Sequence, residues 1–214
     1  MNIAIRSFAQ TILFSALLLL TGCAPGTKFS GTSHCPSYLS DGDVILVSAL
    51  RGNNQVLQLD AIRKKMSGRN VKVHYAPEEE YNLRAAGVTN PLDTAFYPTL
   101  LRNGITHLLQ ITPDRASSGR PYDYKTPYEL SLELNPFHPS PPGGSQNVYK
   151  SVVTMHLISL KTKQYYAFKI ESQIHGLEVR HDDGGRSNVN AGSVDQAMYY
   201  AVKKGADKIS ENCR

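Results

Sequence analysis

Few residues of this chain combine a reactive type with a spacing that chemistry could use. His181-Asp182-Asp183 lies in a polar, Gly-flanked loop, and His175 precedes it by six residues. Imidazole and carboxylate are donors that can hold a divalent cation. Their spacing fixes no common strand or helix face, so a solvated loop is the simpler reading and no metal or cofactor is expected. His107 and His156 fall inside predicted strands, where a satisfied or half-exposed sheet histidine is expected. His34 and His138 fall in loops with no partner in view. The chain has no G-x-S-x-G, H-E-x-x-H, P-loop or C-x-x-C. Serine, histidine and aspartate occur without a spacing that selects a triad, so catalysis is not expected.

A second group of residues suits contact rather than catalysis. Tyr122, Tyr124, Tyr128 and Phe137 cluster among prolines, close to Arg115, Arg120 and Lys125. Aromatic rings beside guanidinium groups form contact patches for protein or polysaccharide. The same rings can instead pack on the chain's own sheet, and both readings stay open at this point. Tyr165-Tyr166 and Tyr199-Tyr200 read as core and rim residues.

Hydrophobic content of 41% against 19% charged residues describes a folded chain rather than a disordered one. The net charge is +5, but no run of five or more basic residues appears. A scattered positive balance is compatible with an anionic membrane surface or cell-wall polymer, and a solvated surface explains it as well. No nucleic-acid motif is present, and no nucleic-acid partner is expected.

The first 22 residues place a single Arg6 before an apolar stretch too short to span a bilayer, ending in Leu20-Thr21-Gly22-Cys23. This ending resembles the lipobox of bacterial lipoproteins. The resemblance implies cleavage before Cys23, acylation of its sulfur (as with palmitate), and anchorage on a membrane outside the cytoplasm. Two or three acyl chains hold firmly, at roughly 0.8 kcal/mol per buried methylene. Ala24 follows the cysteine, which resembles an outer-membrane address facing the periplasm if the organism is Gram-negative. With Cys23 committed to lipid, Cys35 and Cys213 remain as an even pair in an oxidising compartment. A disulfide between them would close almost the whole domain.

Removal of the signal leaves about 190 residues, enough for one domain. Residues 24–40 lack an apolar period and read as a tether. Val44-Ile45-Leu46-Val47 is a strand buried on both faces. Val56, Leu59, Ile62 and Met66 recur at helical spacing after Asn53 or Asn54, and Ser67-Gly68 ends that helix. Val71, Val73 and Tyr75 alternate as a second strand, ended by Pro77 and Glu78-Glu79-Glu80. A helix over 94–103 tolerates Pro98 in its first turn. Residues 105–111 form a third strand.

Prolines and Gly143-Gly144 interrupt 113–147, with a short alternating run at 128–134. A segment of this length is functional or mobile. Residues 148–160 and 165–174 make a hairpin around Lys161-Thr162-Lys163-Gln164. After a polar loop at 180–192, a capping box at Ser193 and Gln196 opens a last helix. Its buried face carries Val194, Ala197, Met198, Ala201, Val202 and Ile209.

Three of these elements resemble an envelope fold. They are Gly104-Ile105-Thr106-His107-Leu108-Leu109-Gln110-Ile111, the hairpin Leu157-Ile158-Ser159-Leu160-Lys161-Thr162-Lys163, and the Ala-rich closing helix. They are similar to the amino-terminal domain of TolB, the curli-secretion lipoprotein and the lipoprotein activators of penicillin-binding proteins. Lys163 stands where that pattern has glycine. Members of this fold secrete, activate or scaffold, so the fold implies no single function.

The expected fold class is α/β, a single mixed-sheet domain in the order βαβαβ, then a β-hairpin, then a C-terminal helix. The expected division is a signal at 1–22, a lipidated tether at 23–40, and a domain at 41–214 with a Pro/Tyr-rich insertion at 113–147. The expected function is non-catalytic binding or scaffolding toward another envelope protein or cell-wall polymer. An envelope hydrolase or metal-dependent enzyme with a non-obvious site remains an alternative, as does a structural subunit of a secretion or surface assembly.

Overall fold

A computed structural model describes residues 26–119, 145–180, 186–188 and 192–213. Cys23 with its signal, Arg120, Tyr122, Tyr124, Tyr128, Phe137, His138, the run at 128–134 and His181-Asp182-Asp183 lie outside the described residues.

The apolar runs of β2 (Val44–Val47) and the start of β4 (His107–Gly119) are continuous because both of their faces are covered. Ile45, Val47, Leu109 and Ile111 enter one core, beneath α1 (Gln55–Ser67) and α4 (Val194–Asn212). Leu46 and Leu108 enter a second core on the opposite face. There α2 (Glu80–Ala85) supplies Leu83 and α3 (Tyr97–Arg102) supplies Tyr97 and Leu100. β3 (Lys72–Tyr75) runs parallel to β2 on one side and β4 runs parallel to it on the other.

The rest of the sheet is antiparallel. β5 (Ser145–Ser159) and β6 (Tyr165–Arg180) form a long hairpin on β4, and β1 (Gly26–Gly31) pairs with β6. The strand order is β1-β6-β5-β4-β2-β3, with β7 (Arg186–Asn188) paired to the end of β6. In this half, among the described residues, a helix covers only the face beneath α4. Val153, Met155, Leu157, Phe168 and Ile170 fill it, and the alternate residues face outward.

The two ends of the described domain meet at one point. Cys35 and Cys213 form a disulfide, with Cα atoms 4.9 Å apart and both residues fully buried. Closing a loop of 178 residues constrains the unfolded chain by about 5 kcal/mol in the loop-entropy treatment. The Arg69 guanidinium donates to the carbonyls of Cys213 (2.9 Å) and Leu39 (2.8 Å). The Leu39 amide also donates to the Cys213 carbonyl. Cations favour a helix C-terminus, and Arg69 supplies one at the end of α4. Nearby, the buried Tyr166 hydroxyl donates to the Thr32 carbonyl and accepts from Asn212, both at 2.8 Å.

Several expectations need correction. Residues 24–40 were expected as a tether, yet 26–31 form β1, and Cys35, Ser37 and Leu39 are buried. Only Phe29 in β1 is apolar, resting 5.6 Å from the Phe168 ring, so no period was visible. The insertion expected at 113–147 is shorter than drawn. β4 continues to Gly119 and β5 begins at Ser145, carrying the ladder past Pro113 through a bulge at Pro113/Arg115. Beyond the acidic run that ends the second strand, Glu80–Ala85 is helical, and a short strand interrupts the loop at 180–192. On α1 the stripe is shifted: Val56 is 72% exposed and Gln58 is fully buried, its amide donating to the Arg51 carbonyl. The 94–103 helix divides into a 3₁₀ turn at Thr94–Phe96 and α3. The Ser193 half of the capping box is formed, its hydroxyl accepting from the Gln196 amide at 3.0 Å.

Two local features fix the packing. A Cβ at Gly205 of α4 would fall 2.0 Å from the Met155 sulfur, so glycine lets that helix settle on the sheet. Lys163, where the resemblance calls for glycine, has φ 60°, the left-handed region that costs an L-residue about 1–2 kcal/mol. Lys163→Gly relieves this strain and loosens the unfolded chain, for a net gain of about 0.5–1 kcal/mol. The expected readout is a melting temperature raised by about 1–4 °C; an unchanged or lower value would show that the turn stores no strain.

Candidate functional site

Period-two alternation gives the other face of the antiparallel half a largely polar surface, interrupted by Val148, Val152 and Ala167. β4 contributes Gln110, Thr112 and, at its bulge, Asp114; β5 contributes Lys150, Thr154 and His156; β6 contributes Lys169, Glu171, Gln173 and His175. β1 adds Lys28 opposite Glu171 and Ser30 opposite Lys169. Arg115, one of the expected contact residues, lies opposite Val152 and is exposed.

The centre of this face is an ordered ion pair. The Asp114 carboxylate accepts from the Thr154 hydroxyl at 2.5 Å and from the Lys169 ammonium at 2.9 Å. The Thr154 hydrogen bond, followed by that of Lys169, holds the Asp114 carboxyl below the usual carboxylate range. Asp114 is therefore a fixed anion at neutral pH rather than a proton donor. At the β1 edge, a shallow cleft of about 330 Å³ is lined by Gly26, Thr27, Lys28, Glu171, Gln173 and His175. Gln173 and His175 are hydrogen-bonded there at 3.0 Å. The cleft offers donors and acceptors of both signs, which suits a polar ligand surface.

Another concavity, of about 410 Å³, lies between α1 and β3 beside Arg63, Ser67, Lys72 and His74. Arg63 is already paired with Glu78 at 2.5 Å, and His74 lies 2.7 Å from Glu79. Asn82 and then His74 hold the Glu79 carboxyl below its ordinary range.

Among the described residues no cluster of three His, Cys, Asp or Glu side chains could hold a metal, and no helix is long and apolar enough to cross a membrane. His156 is half-buried on the open face, and exposed His34 stacks edge-on with Tyr38 at 6.1 Å.

Among the described residues, His107 is the one buried histidine. The Thr106 hydroxyl donates to the Val44 carbonyl and accepts from the Val44 amide. The same hydroxyl is hydrogen-bonded to Nδ1 of His107, 2.9 Å away. Nε2 is buried without a hydrogen-bond partner, and Asp43 approaches Nδ1 no closer than 3.8 Å. Burial pushes the His107 pKa below its ordinary 6.5, against the weaker upward pull of Asp43 and the Tyr38 backbone. The sequence placed His107 in a strand but gave no sign of this orphan nitrogen, which is enclosed where β4 pairs with β2.

No protein family and no curated relative matches the sequence. Solved structures similar over most of the chain include the following three. A PelC dodecamer from Paraburkholderia phytofirmans shares 10% identity, covering 88% of this chain and 97% of its own, with a TM-score of 0.38. A homolog of neuraminyllactose-binding hemagglutinin from Helicobacter pylori shares 9%, covering 83% and 89%, at 0.39. Lipoprotein GNA1162 from Neisseria meningitidis shares 14%, covering 78% and 98%, at 0.39. Likeness this distant carries no functional conclusion.

The His107 geometry has a consequence for stability. Its folded pKa is lowered, so the unfolded chain takes up a proton first as the pH falls below about 6.5. Stability is fully present above that pH and is lost as the pH falls toward the folded pKa. Melting between pH 7.5 and 5 should show a steeper fall for the native chain than for His107→Gln; parallel curves would refute the assignment.

Proposed function

We propose that the protein is an envelope lipoprotein, acylated at Cys23, whose α/β domain binds another envelope component without catalysis. The observation that supports this reading most is the buried Cys35–Cys213 bridge. Of three cysteines, it commits the only two apart from Cys23, and it calls for an oxidising compartment. That compartment is the destination implied by the lipobox-like ending Leu20-Thr21-Gly22-Cys23. Where two membranes exist, Ala24 after the cysteine favours the periplasmic face of the outer membrane.

The open sheet face supports a binding role. Its polar groups are exposed, partly paired and spread across four strands, as in a contact surface rather than a reaction centre. It leads by chain connectivity to residues 120–144, which carry Arg120, Tyr122, Tyr124, Tyr128 and Phe137. The partner we propose is another envelope protein or a cell-wall polymer.

Cys23→Ser should abolish palmitate labelling and shift the protein out of the membrane fraction or leave an uncleaved precursor. Native chain that takes up no palmitate would defeat the anchor.

The binding role calls for a deletion that spares the ladder. Removing 113–147 would delete paired residues of β4 and β5, whereas replacing 120–144 by an Asn-Gly link preserves those strands. Capture from membranes should then lose one specific partner while the melting temperature holds. An unchanged partner set would count against residues 120–144.

A further inference from the structure

The two edges of the sheet are finished differently. On β3 the amides of Lys72 and Ala76 donate to the β2 side, so Val73 and Tyr75 turn their main-chain groups outward. The Val73 carbonyl accepts from Arg63 at 3.5 Å, and the Tyr75 carbonyl accepts from the amides of Glu78 and Glu79. That edge is blunted after four residues. β1, at the other end, is six residues long and contains neither proline nor bulge. Among the described residues, no hydrogen bond reaches its outer main-chain groups. An unprotected edge of this length is a template for another strand.

We propose that the outer edge of β1 pairs antiparallel with β1 of a second copy, merging two sheets across a two-fold axis. The blunted β3 edge disfavours a head-to-tail chain, so like-with-like closure is the arrangement that satisfies both copies. The side chains select the register. A two-fold axis normal to the sheet keeps each face on its own side, so opposed residues share a face. Centring on Lys28 would set two ammonium groups against each other, which is unfavourable. Centring on Phe29 sets ring against ring, with Lys28 opposite Ser30 of the second copy and Thr27 opposite its Gly31.

The membrane contributes concentration, a part of the proposal that rests on acylation of Cys23. Only Ala24 and Pro25 separate Cys23 from β1, a reach of about 10 Å. The free edge is thereby held close to the bilayer, and a two-fold axis along the membrane normal places both anchors in one leaflet. A six-residue pairing is small for a stable interface, and confinement to a surface raises its effective concentration.

Lys28 and Ser30 are exposed, so both tolerate substitution without loss of the fold. The full chain is expressed in bacterial membranes as Lys28→Cys, as Ser30→Cys, and as the two together, and mild oxidant is added. The mixed pair should cross-link roughly 5-fold faster than either variant alone, because directly opposed Cβ atoms lie closer than diagonal ones. In detergent, Ser30→Lys should weaken dimerisation by roughly 3- to 10-fold and Ser30→Glu should strengthen it. Equal cross-linking rates, or no dimer in any variant, would overturn the pairing. Palmitate labelling of the same membranes reports the anchor independently. Labelled protein without the mixed cross-link defeats the pairing alone, whereas unlabelled protein that still cross-links upholds the pairing and defeats the anchor.

Discussion

The junction of the two chain ends is the constraint on which the rest of this domain depends. Among the described residues, α4 is the only helix over the antiparallel half of the sheet, where it buries Ala197, Met198, Ala201, Val202, Ala206 and Ile209. Its last turn is fixed by the Cys35–Cys213 bridge, by the Arg69 guanidinium on the Cys213 carbonyl, and by Asn212 on Tyr166. The same contacts hold residues 32–39 against the core. Broken together, they would free the segment leading to β1 and the helix covering Met155 and Phe168. The covalent bond acts through the unfolded chain, while Arg69 acts in the folded state by satisfying carbonyls that helix termini otherwise leave open.

The sheet divides by direction into two regimes. The parallel part lies between helices, so β2 and the start of β4 are apolar on both faces and have no surface to offer. The antiparallel part is covered once, and its polar face carries Asp114, Thr154, Lys169, Glu171 and Lys28 in a partly paired array. An ion pair this exposed adds little stability, because solvent screens it. Its effect is to fix the positions of charge on that surface. Strand direction thus sets which part of the molecule is scaffold and which is available for contact.

The edges and the core show how far local rules reach. β3 is closed by Arg63 and a turn, both in place before any partner arrives, whereas β1 is left open next to the candidate anchor. His107 shows the reverse situation, a polar group enclosed by the fold and only half satisfied by Thr106. Burying it without a second partner has a cost, and the fold tolerates it where β2 and β4 must lie close together.

The alternating and helical apolar periods alone determined the α/β order, the strands buried on both faces, the closing helix with its Ser193 cap, and the parity argument that left Cys35 and Cys213 as a pair. These are local or counting properties, and they survive any change of neighbours. Tertiary structure decided what depends on residues far apart in the chain. β1 has one apolar side chain and two terminal glycines, so it becomes a strand only because β6 presents an edge for it to pair with. β4 runs past Pro113 because β5 continues the ladder around a bulge. Val56 and Gln58 exchange places because the loop at Arg51, rather than the helix itself, sets which side of α1 is enclosed. The open polar face was present in the sequence as alternation, but which alternating face would remain uncovered was settled only by where α4 came to rest.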